Sequence, residues 1–370
     1  MSDSQFRVVI SGRLSRAAAV FSLLAAVGVM AAPARAQVTQ ADAQVAAAGR
    51  ALGGYLDLTT LGSYYDRTGG EVCLGVAGED GRCETTFWLG VVGETGSFDN
   101  SRLLTGRGPS YDFSLGGVRL GMDLYRSAHE VMGLYAGAGV AKGKLDGRSA
   151  DGIGLTSGKA DIHNYLAAGY WTHRGGFWFS DLVAQGSRVN SDVSTVSTTS
   201  SAGSETGTKG YNLLGSLELG APIPLGCGRF SFEPQLQVVY QRLHPEDAGD
   251  ASGSFTLPVT NTVYGRFGGR ISERWPLPTD GEADFVIWAR ANVWHMFTDS
   301  PVNTVVMAGD PAVEFVVSPT LGRTWSQVGV GASGEITGSI GLFSTLDYNA
   351  NFGPGTGRSL DGRLGIRVNW

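Results

Sequence analysis

Several groups of residues in this chain have the types and spacing of chemical machinery, and each can be weighed against its surroundings. Gly329-Val330-Gly331-Ala332-Ser333-Gly334 satisfies GxGxxG, the turn that seats a pyrophosphate on a helix N-terminus. It lies in an alternating, strand-like stretch with no helical pattern after it, so its glycines read as close packing. Gly158-Lys159 is preceded five residues earlier by Ile153 and followed by Ala160, where a phosphate loop needs Gly and then Ser or Thr. The histidines, His129, His163, His173, His244 and His295, are scattered, with neither HExxH nor a zinc-like pairing. Asp161 and His163 share one face of a strand, which is half of a hydrolytic site, but no nucleophile is nominated beside them. The expectation is a protein that is not an enzyme and binds no cofactor or metal.

A different set of charges recurs with a regular phase. Arg119, Asp123, Glu218, Glu233, Arg266, Arg270, Arg290, Arg363 and Arg367 all fall on the polar face of alternating segments. Mixed charges on the inner face of a closed sheet can brace the wall as ion pairs, line a selective pore, or hold a plug, and bracing is the simplest of these. Cys73, Cys83 and Cys227 are an odd set without a CxxC motif. A staple between Cys73 and Cys83, which enclose a short loop, is the expected use.

What must position those charges is strand structure. From Leu360 to Trp370, the residues Leu360, Gly362, Leu364, Ile366, Val368 and Trp370 share one face, and Asp361, Arg363, Gly365, Arg367 and Asn369 share the other. Phe230, Phe232, Leu236, Val238 and Tyr240 oppose Glu233, Gln235, Gln237 and Gln241 in the same way; Ile340, Leu342, Leu346, Tyr348 and Phe352 oppose Thr345, Asp347, Asn349 and Asn351. Between Tyr111 and Arg126 the apolar phase moves from Tyr111, Phe113 and Leu115 to Val118, Leu120, Met122 and Leu124, and the pair Gly116-Gly117 at the change suggests a bulge.

Twelve such segments run from about residue 85 to the end, an even number suited to a closed antiparallel barrel. With the C-terminus on the inner side, the inner turns near 127–129, 174, 223–227, 276–282 and 336–337 are short. The outer loops 191–206, 244–258 and 300–319 are long, as in barrels of the bacterial outer membrane. A soluble β-sandwich also alternates, but its strands are shorter than these. Tyr125, Tyr170, Trp171, Trp275 and Trp370, near segment ends, suit interfacial girdles.

The N-terminal part is organised differently. Arg7, Arg13 and Arg16 precede an apolar run from Ala17 to Ala32 and the small-residue box Ala34-Arg35-Ala36, so residues 1–36 read as a cleaved signal peptide. Residues 37–84 read as a separate short segment, with an Ala-rich stretch at 39–52 that favours helix and could form a lumen helix or plug. With 28 basic against 34 acidic residues and no basic stripe, nucleic acid is not an expected partner.

The ordered segments of 85–370 resemble the C-terminal translocator barrel of autotransporters, the type V secretion proteins. The likeness rests on Gly117-Val118-Arg119-Leu120-Gly121-Met122-Asp123-Leu124-Tyr125, Gly133-Leu134-Tyr135-Ala136-Gly137 and Ser231-Phe232-Glu233-Pro234-Gln235-Leu236-Gln237. It continues through Gly265-Arg266-Phe267-Gly268-Gly269-Arg270, Ala291-Asn292-Val293-Trp294-His295 and the end, Gly365-Ile366-Arg367-Val368-Asn369-Trp370. The resemblance implies a twelve-stranded transmembrane β-barrel, all-β apart from a short, partly helical N-terminal segment, in a Gram-negative outer membrane. It implies export through the Sec pathway, insertion by the barrel assembly machinery reading Leu364, Ile366, Val368 and Trp370, and contact with outer-membrane lipid. The family's passenger is usually hundreds of residues long, whereas only 37–84 precede the barrel here. The expected function is export or display of that short segment; the alternative is a passenger-less barrel acting as a small channel or wall protein, with 37–84 in its lumen.

Overall fold

Alternation of apolar and polar residues over stretches of 12 to 20 residues produces twelve long strands in the computed structural model of the chain. It describes residues 40–69, 86–99, 110–148, 155–197, 204–226, 229–246, 248–250, 253–255, 258–276, 284–298, 302–305, 313–316, 321–337, 339–353 and 356–369. The strands are β1 (Thr86–Asp99), β2 (Ser110–Arg126), β3 (Glu130–Arg148), β4 (Leu155–Arg174), β5 (Phe179–Ser197), β6 (Ser204–Gly220), β7 (Phe230–Pro245), β8 (Thr260–Pro276), β9 (Asp284–Met296), β10 (Thr324–Thr337), β11 (Ile340–Asn351) and β12 (Thr356–Asn369). Each pairs antiparallel with its neighbours in sequence, and β12 pairs with β1 from Thr86 opposite Asn369 to Asp99 opposite Thr356, so the sheet closes without an edge. Closure gives every strand two partners, the only way a sheet can satisfy its backbone in hydrocarbon.

One rim carries the short connections, among them 127–129, 175–178 and 338–339, and the strand ends Thr86 and Asn369; it is called the turn rim below. The opposite, loop rim is less loop-like than the sequence suggests. The Ser- and Thr-rich stretch 191–206 does not form a loop throughout: β5 runs to Ser197 and β6 begins at Ser204, paired from Ser191 opposite Thr208 to Thr195 opposite Ser204. The stretches 244–258 and 300–319 contain small hairpins, Ala248–Asp250 with Gly253–Phe255 and Val302–Val305 with Val313–Val316.

The two faces of the wall divide as the alternation requires, but not uniformly along the strands. On β3, Met132, Leu134 and Val140 face outward and are exposed, a band of nine residues from end to end that matches the length of a membrane-crossing strand. Beyond Val140 the outward positions become Lys142, Lys144 and Asp146, and on β4 Tyr165 gives way to His163, Asp161 and Lys159. The interior changes at the same height: Tyr111, Phe113, Leu115, Ala141, Leu145, Ala160, Ile162 and Val193 are buried inside. Near the loop rim the wall is therefore polar outside and apolar inside, like a soluble domain.

This inversion explains the phase change in β2 and corrects its reading. The pairing of β2 runs unbroken through Gly116 and Gly117 against both β1 and β3, so no bulge lies there. Tyr111, Phe113 and Leu115 point inward, Val118, Leu120 and Leu124 point outward, and the alternation does not slip at the glycine pair. The irregularity of β2 is further along, where its register with β3 shifts between Asp123 and Tyr125. Tyr125, Trp171 and Trp275 are exposed near the turn rim as a girdle requires. Tyr170 is not among them: it is buried inside, where its hydroxyl donates to Asp123.

The inversion makes two outward positions on the same strand behave differently. Leu120→Arg, within the apolar band, should cost about 2–4 kcal/mol of folding stability in vesicles, and Ser114→Arg, beyond it, about 0–1 kcal/mol. Equal losses in denaturant titrations would mean that the band extends to Ser114.

Candidate functional site: the lumen and its helix

The lumen is occupied by the chain's own N-terminal segment. Helix α1 (Gln40–Thr59) is Ala-rich and lies against the inner surface of β3–β6; a short helix α2 (Tyr64–Thr68) follows it. Ala and straight-chain residues favour helix formation, and small side chains let α1 approach the wall: Ala47, Ala48, Leu52 and Leu56 are almost wholly buried. The wall is shaped to receive them. A Cβ at Gly143 would meet Leu52 at 3.0 Å, and one at Gly139 would meet Asn164 Oδ1 at 2.5 Å and Leu56 at 3.1 Å. The helix is directed along the barrel. Arg50 donates to Thr260 Oγ1 (3.1 Å), near the loop rim, and the Thr68 carbonyl accepts from Arg367 (2.7 Å), near the turn rim. The N-terminal end of α1 thus points to the loop rim.

Below the apolar cluster, polar contacts set the position of α1. Asp57 is fully buried; it accepts from Asn164 Nδ2 (2.7 Å), Ser187 Oγ (2.8 Å) and Asn212 Nδ2, while its carbonyl accepts from Gln185 Nε2 (3.3 Å). Donors from β4, β5 and β6 thus converge on one carboxylate, which could not otherwise be carried into a dry interior. On the other side of the helix, Tyr55 and Thr59 (3.1 Å) donate to the two oxygens of Glu94 on β1, and Gln241 Nε2 donates to the Gly54 carbonyl (2.8 Å). Tyr135 on β3 accepts from the Gly62 backbone N–H (3.1 Å) and donates to Gln185 (2.8 Å), joining the link between the helices to the wall.

Helix α2 is held by charge. Arg67 is buried, pairs with Asp181, also donates to Thr172 (3.3 Å), and lies 4.1 Å from the centre of the Tyr170 ring. Asp66 pairs with Arg363 (2.6 Å) and accepts from Ser63 Oγ (2.8 Å). Tyr65 donates to Glu233 and is covered by Arg270, 4.1 Å from its ring centre. Breaking the Arg67–Asp181 pair leaves a buried charge without its ionic partner, which is strongly destabilising, whereas Asp66 also pairs with Arg119 (3.9 Å) and Arg363 with Asp361 (3.2 Å).

The nine charges expected on the polar face all lie inside the barrel, and they divide into two kinds. Glu218 with Arg266 (2.7 Å) and Arg290 with Asp347 each brace two strands across the one between them, β6 to β8 over β7 and β9 to β11 over β10. Asp123 pairs with Arg126 (3.4 Å). Arg119, Glu233, Arg270, Arg363 and Arg367 reach residues of 60–68, and two of them also pair within the wall, Arg363 with Asp361 (3.2 Å) and Arg367 with Glu335 (3.4 Å). Leu364 faces outward and is exposed, and Ile366 and Val368 follow on the same side. Trp370, Cys73, Cys83 and Cys227 lie outside the described residues. Asp161 and His163 are outward and exposed, with Asp161 paired to Lys142 (3.5 Å).

Asp57, Asp66, Arg67, Glu94 and Asp181 do not stand out in the sequence. For Glu94 and Asp181 the inward phase of β1 and β5 is a usable signal. For Asp57, Asp66 and Arg67 the only signal is that they follow an Ala-rich helix, which does not say that a wall surrounds them. Between the N-terminal segment and strands β7–β12 and β1 remains a polar cavity of about 70 Å³, bordered by Tyr55, Glu94, Arg266, Arg290, Asp361 and Arg363. No group of potential metal ligands occurs among the described residues.

A closed barrel of twelve strands carrying an N-terminal helix in its lumen defines a class of outer-membrane protein. This chain belongs to the autotransporter family: the family described as autotransporter beta-domain matches residues 87–349. The fold is similar to the β-domain of the Bordetella autotransporter BrkA, with TM-score 0.57 and 16% identity over 78% of this chain and 100% of that one. It is similar to the translocator domain of NalP from Neisseria meningitidis, with TM-score 0.56 and 15% identity over 78% and 89% of the two chains. The transport unit of AIDA-I from Escherichia coli gives TM-score 0.57 and 17% identity over 87% and 99%. No curated protein matches the chain. The protein is thus a translocator-type β-barrel of the Gram-negative outer membrane.

The convergence on Asp57 makes a quantitative expectation. Asp57→Ala removes the acceptor of three buried donors, which should weaken docking of α1 by about 3 kcal/mol and speed amide hydrogen exchange in 46–59 about 100-fold, with Asp57→Asn intermediate. Unchanged exchange in the Ala variant would show that apolar packing alone holds the helix.

Proposed function

We propose that this barrel displays at the cell surface the chain that precedes Gln40, and that residues 40–69 are the part left in the lumen as its seal. The observation that carries this reading is the direction of α1, which points its N-terminal end to the loop rim while α2 and the start of β1 lie toward the turn rim. With short connections on the periplasmic side, the usual arrangement in outer-membrane barrels, the loop rim is external. The displayed part is then upstream of residue 40, not the whole of 37–84. Cleavage after Ala36 would leave Gln37–Thr39 ahead of α1.

The rest of the functional reading follows the family. The precursor uses Sec export, the assembly machinery reads the outward stripe Leu364, Ile366, Val368 and Trp370, and the barrel has no chemistry of its own. Buried charge pairs at α2 and the seat of Asp57 favour a seal over an open channel, since withdrawing the segment would take the ionic partners from Asp181 and Arg119 and the shared acceptor from Asn164, Ser187 and Asn212.

Single cysteines test the direction. Gln40→Cys should react with a membrane-impermeant maleimide on intact cells and Thr68→Cys should not; the opposite pattern would overturn the orientation. In planar bilayers, deletion of 40–69 should raise conductance above that of the intact chain, and equal conductance would remove the seal.

A further inference from the structure

Outside the wall, beyond the apolar band, the outward positions of β1–β5 form a cleft of about 560 Å³ bordered by Ser97, Ser110, Asp112, Lys144, Ser157 and Lys159. Lys144 and Lys159 stand directly opposite each other in the β3–β4 ladder, both exposed, with Asp112 beside Lys144 and Ser194 beside Lys159 in the same cross-strand row. Like charges opposite one another on one sheet face are destabilising, and neither lysine has an ion-pair partner among the described residues. Lys142, on the same strand and face, pairs with Asp161 (3.5 Å). The cleft's edges are hydroxyl- and carboxylate-rich: Ser110 Oγ donates to Asp99 (3.0 Å) and Ser157 Oγ donates to Asp146 (3.2 Å).

We infer that this cleft binds the phosphorylated sugar headgroup of an outer-leaflet saccharolipid, with a phosphate between Lys144 and Lys159 and sugar hydroxyls on the Ser and Asp side chains. The height is right for such a lipid. Val140, at the edge of the apolar band on β3, is two residues from Lys142 and four from Lys144, so acyl chains beside Val140 put a headgroup at the lysine row. A phosphate replaces the repulsion of the two ammonium groups with charge-assisted hydrogen bonds. The carboxylates and hydroxyls select a sugar over a glycerophosphate, which has few hydroxyls to offer them. The inference rests on the orientation argued above, with the loop rim external.

The test uses full-length barrel recovered from outer membranes, in detergent, with bis-phosphorylated lipid A, dephosphorylated lipid A and phosphatidylglycerol as probes, and affinity read by native mass spectrometry. Bis-phosphorylated lipid A should bind tightest, Lys144→Gln/Lys159→Gln should weaken it about 10-fold or more, and Lys209→Gln, outside the cleft, should leave it unchanged. Equal affinity for phosphatidylglycerol, or full lipid A affinity in the double variant, overturns the site. Impermeant labelling of Glu205→Cys on intact cells separates the two failures. If that cysteine is labelled and the double variant binds normally, only the headgroup site is lost; if it is not labelled, the orientation itself is wrong.

Discussion

Hydrocarbon cannot hydrogen-bond to a backbone, and this single deficiency organises the molecule. A sheet placed in it must close, and closing creates an inside that is small, lined by the inward half of every strand and cut off from bulk solvent. Twelve strands leave a lumen about wide enough for one helix. The polar residues that alternation sends inward must then find partners there. Some pair across the wall, as Arg290 does with Asp347 and Arg266 with Glu218. Others, such as Arg363, Glu233 and the donors Asn164, Ser187 and Asn212, find their partners on the N-terminal segment. The segment is therefore part of how the fold satisfies its own inward polar groups.

The barrel meets this demand in two zones. Near the turn rim the interior is ionic, and α2 enters it as a set of charges. Near the loop rim the wall rises beyond the membrane, its exterior becomes polar, and its interior becomes an apolar cleft for the Ala-rich face of α1. A sliding chain could cross an ionic lumen by exchanging partners and would gain nothing from stopping. Packing of Leu52 and Leu56 on Gly143 and Gly139, together with the seat of Asp57, supplies a definite stopping point. Placement and stability therefore meet in the same contacts: what fixes the helix also fills the lumen.

Much of this architecture is legible in the residues because the side-chain period of a strand is two and one face must meet lipid. The faces of β7, β11 and β12 follow directly from Leu236, Leu346 and Leu364 against Gln237, Asp347 and Arg363. That rule fails where its premise fails. In β2, Tyr111 and Phe113 lie beyond the membrane, so apolar residues go inward, and an unbroken alternation looks like a slip at Gly116-Gly117. Tyr170 shows the same limit, since an aromatic near a strand end can serve a girdle or an interior hydrogen bond, and only phase in the finished barrel separates the two.

By itself, then, the sequence determined the class of protein: twelve alternating segments, an even count, short turns against long connections, and an Ala-rich helix ahead of them. Local chemistry suffices for these, because strand periodicity and helix propensity act within a few residues. Tertiary structure alone decided the direction of the helix, the seat of Asp57, the pairing of Arg67 with Asp181, and the opposition of Lys144 and Lys159. Each joins positions whose distance in space depends on barrel closure and cross-strand register, which no short stretch of the chain encodes.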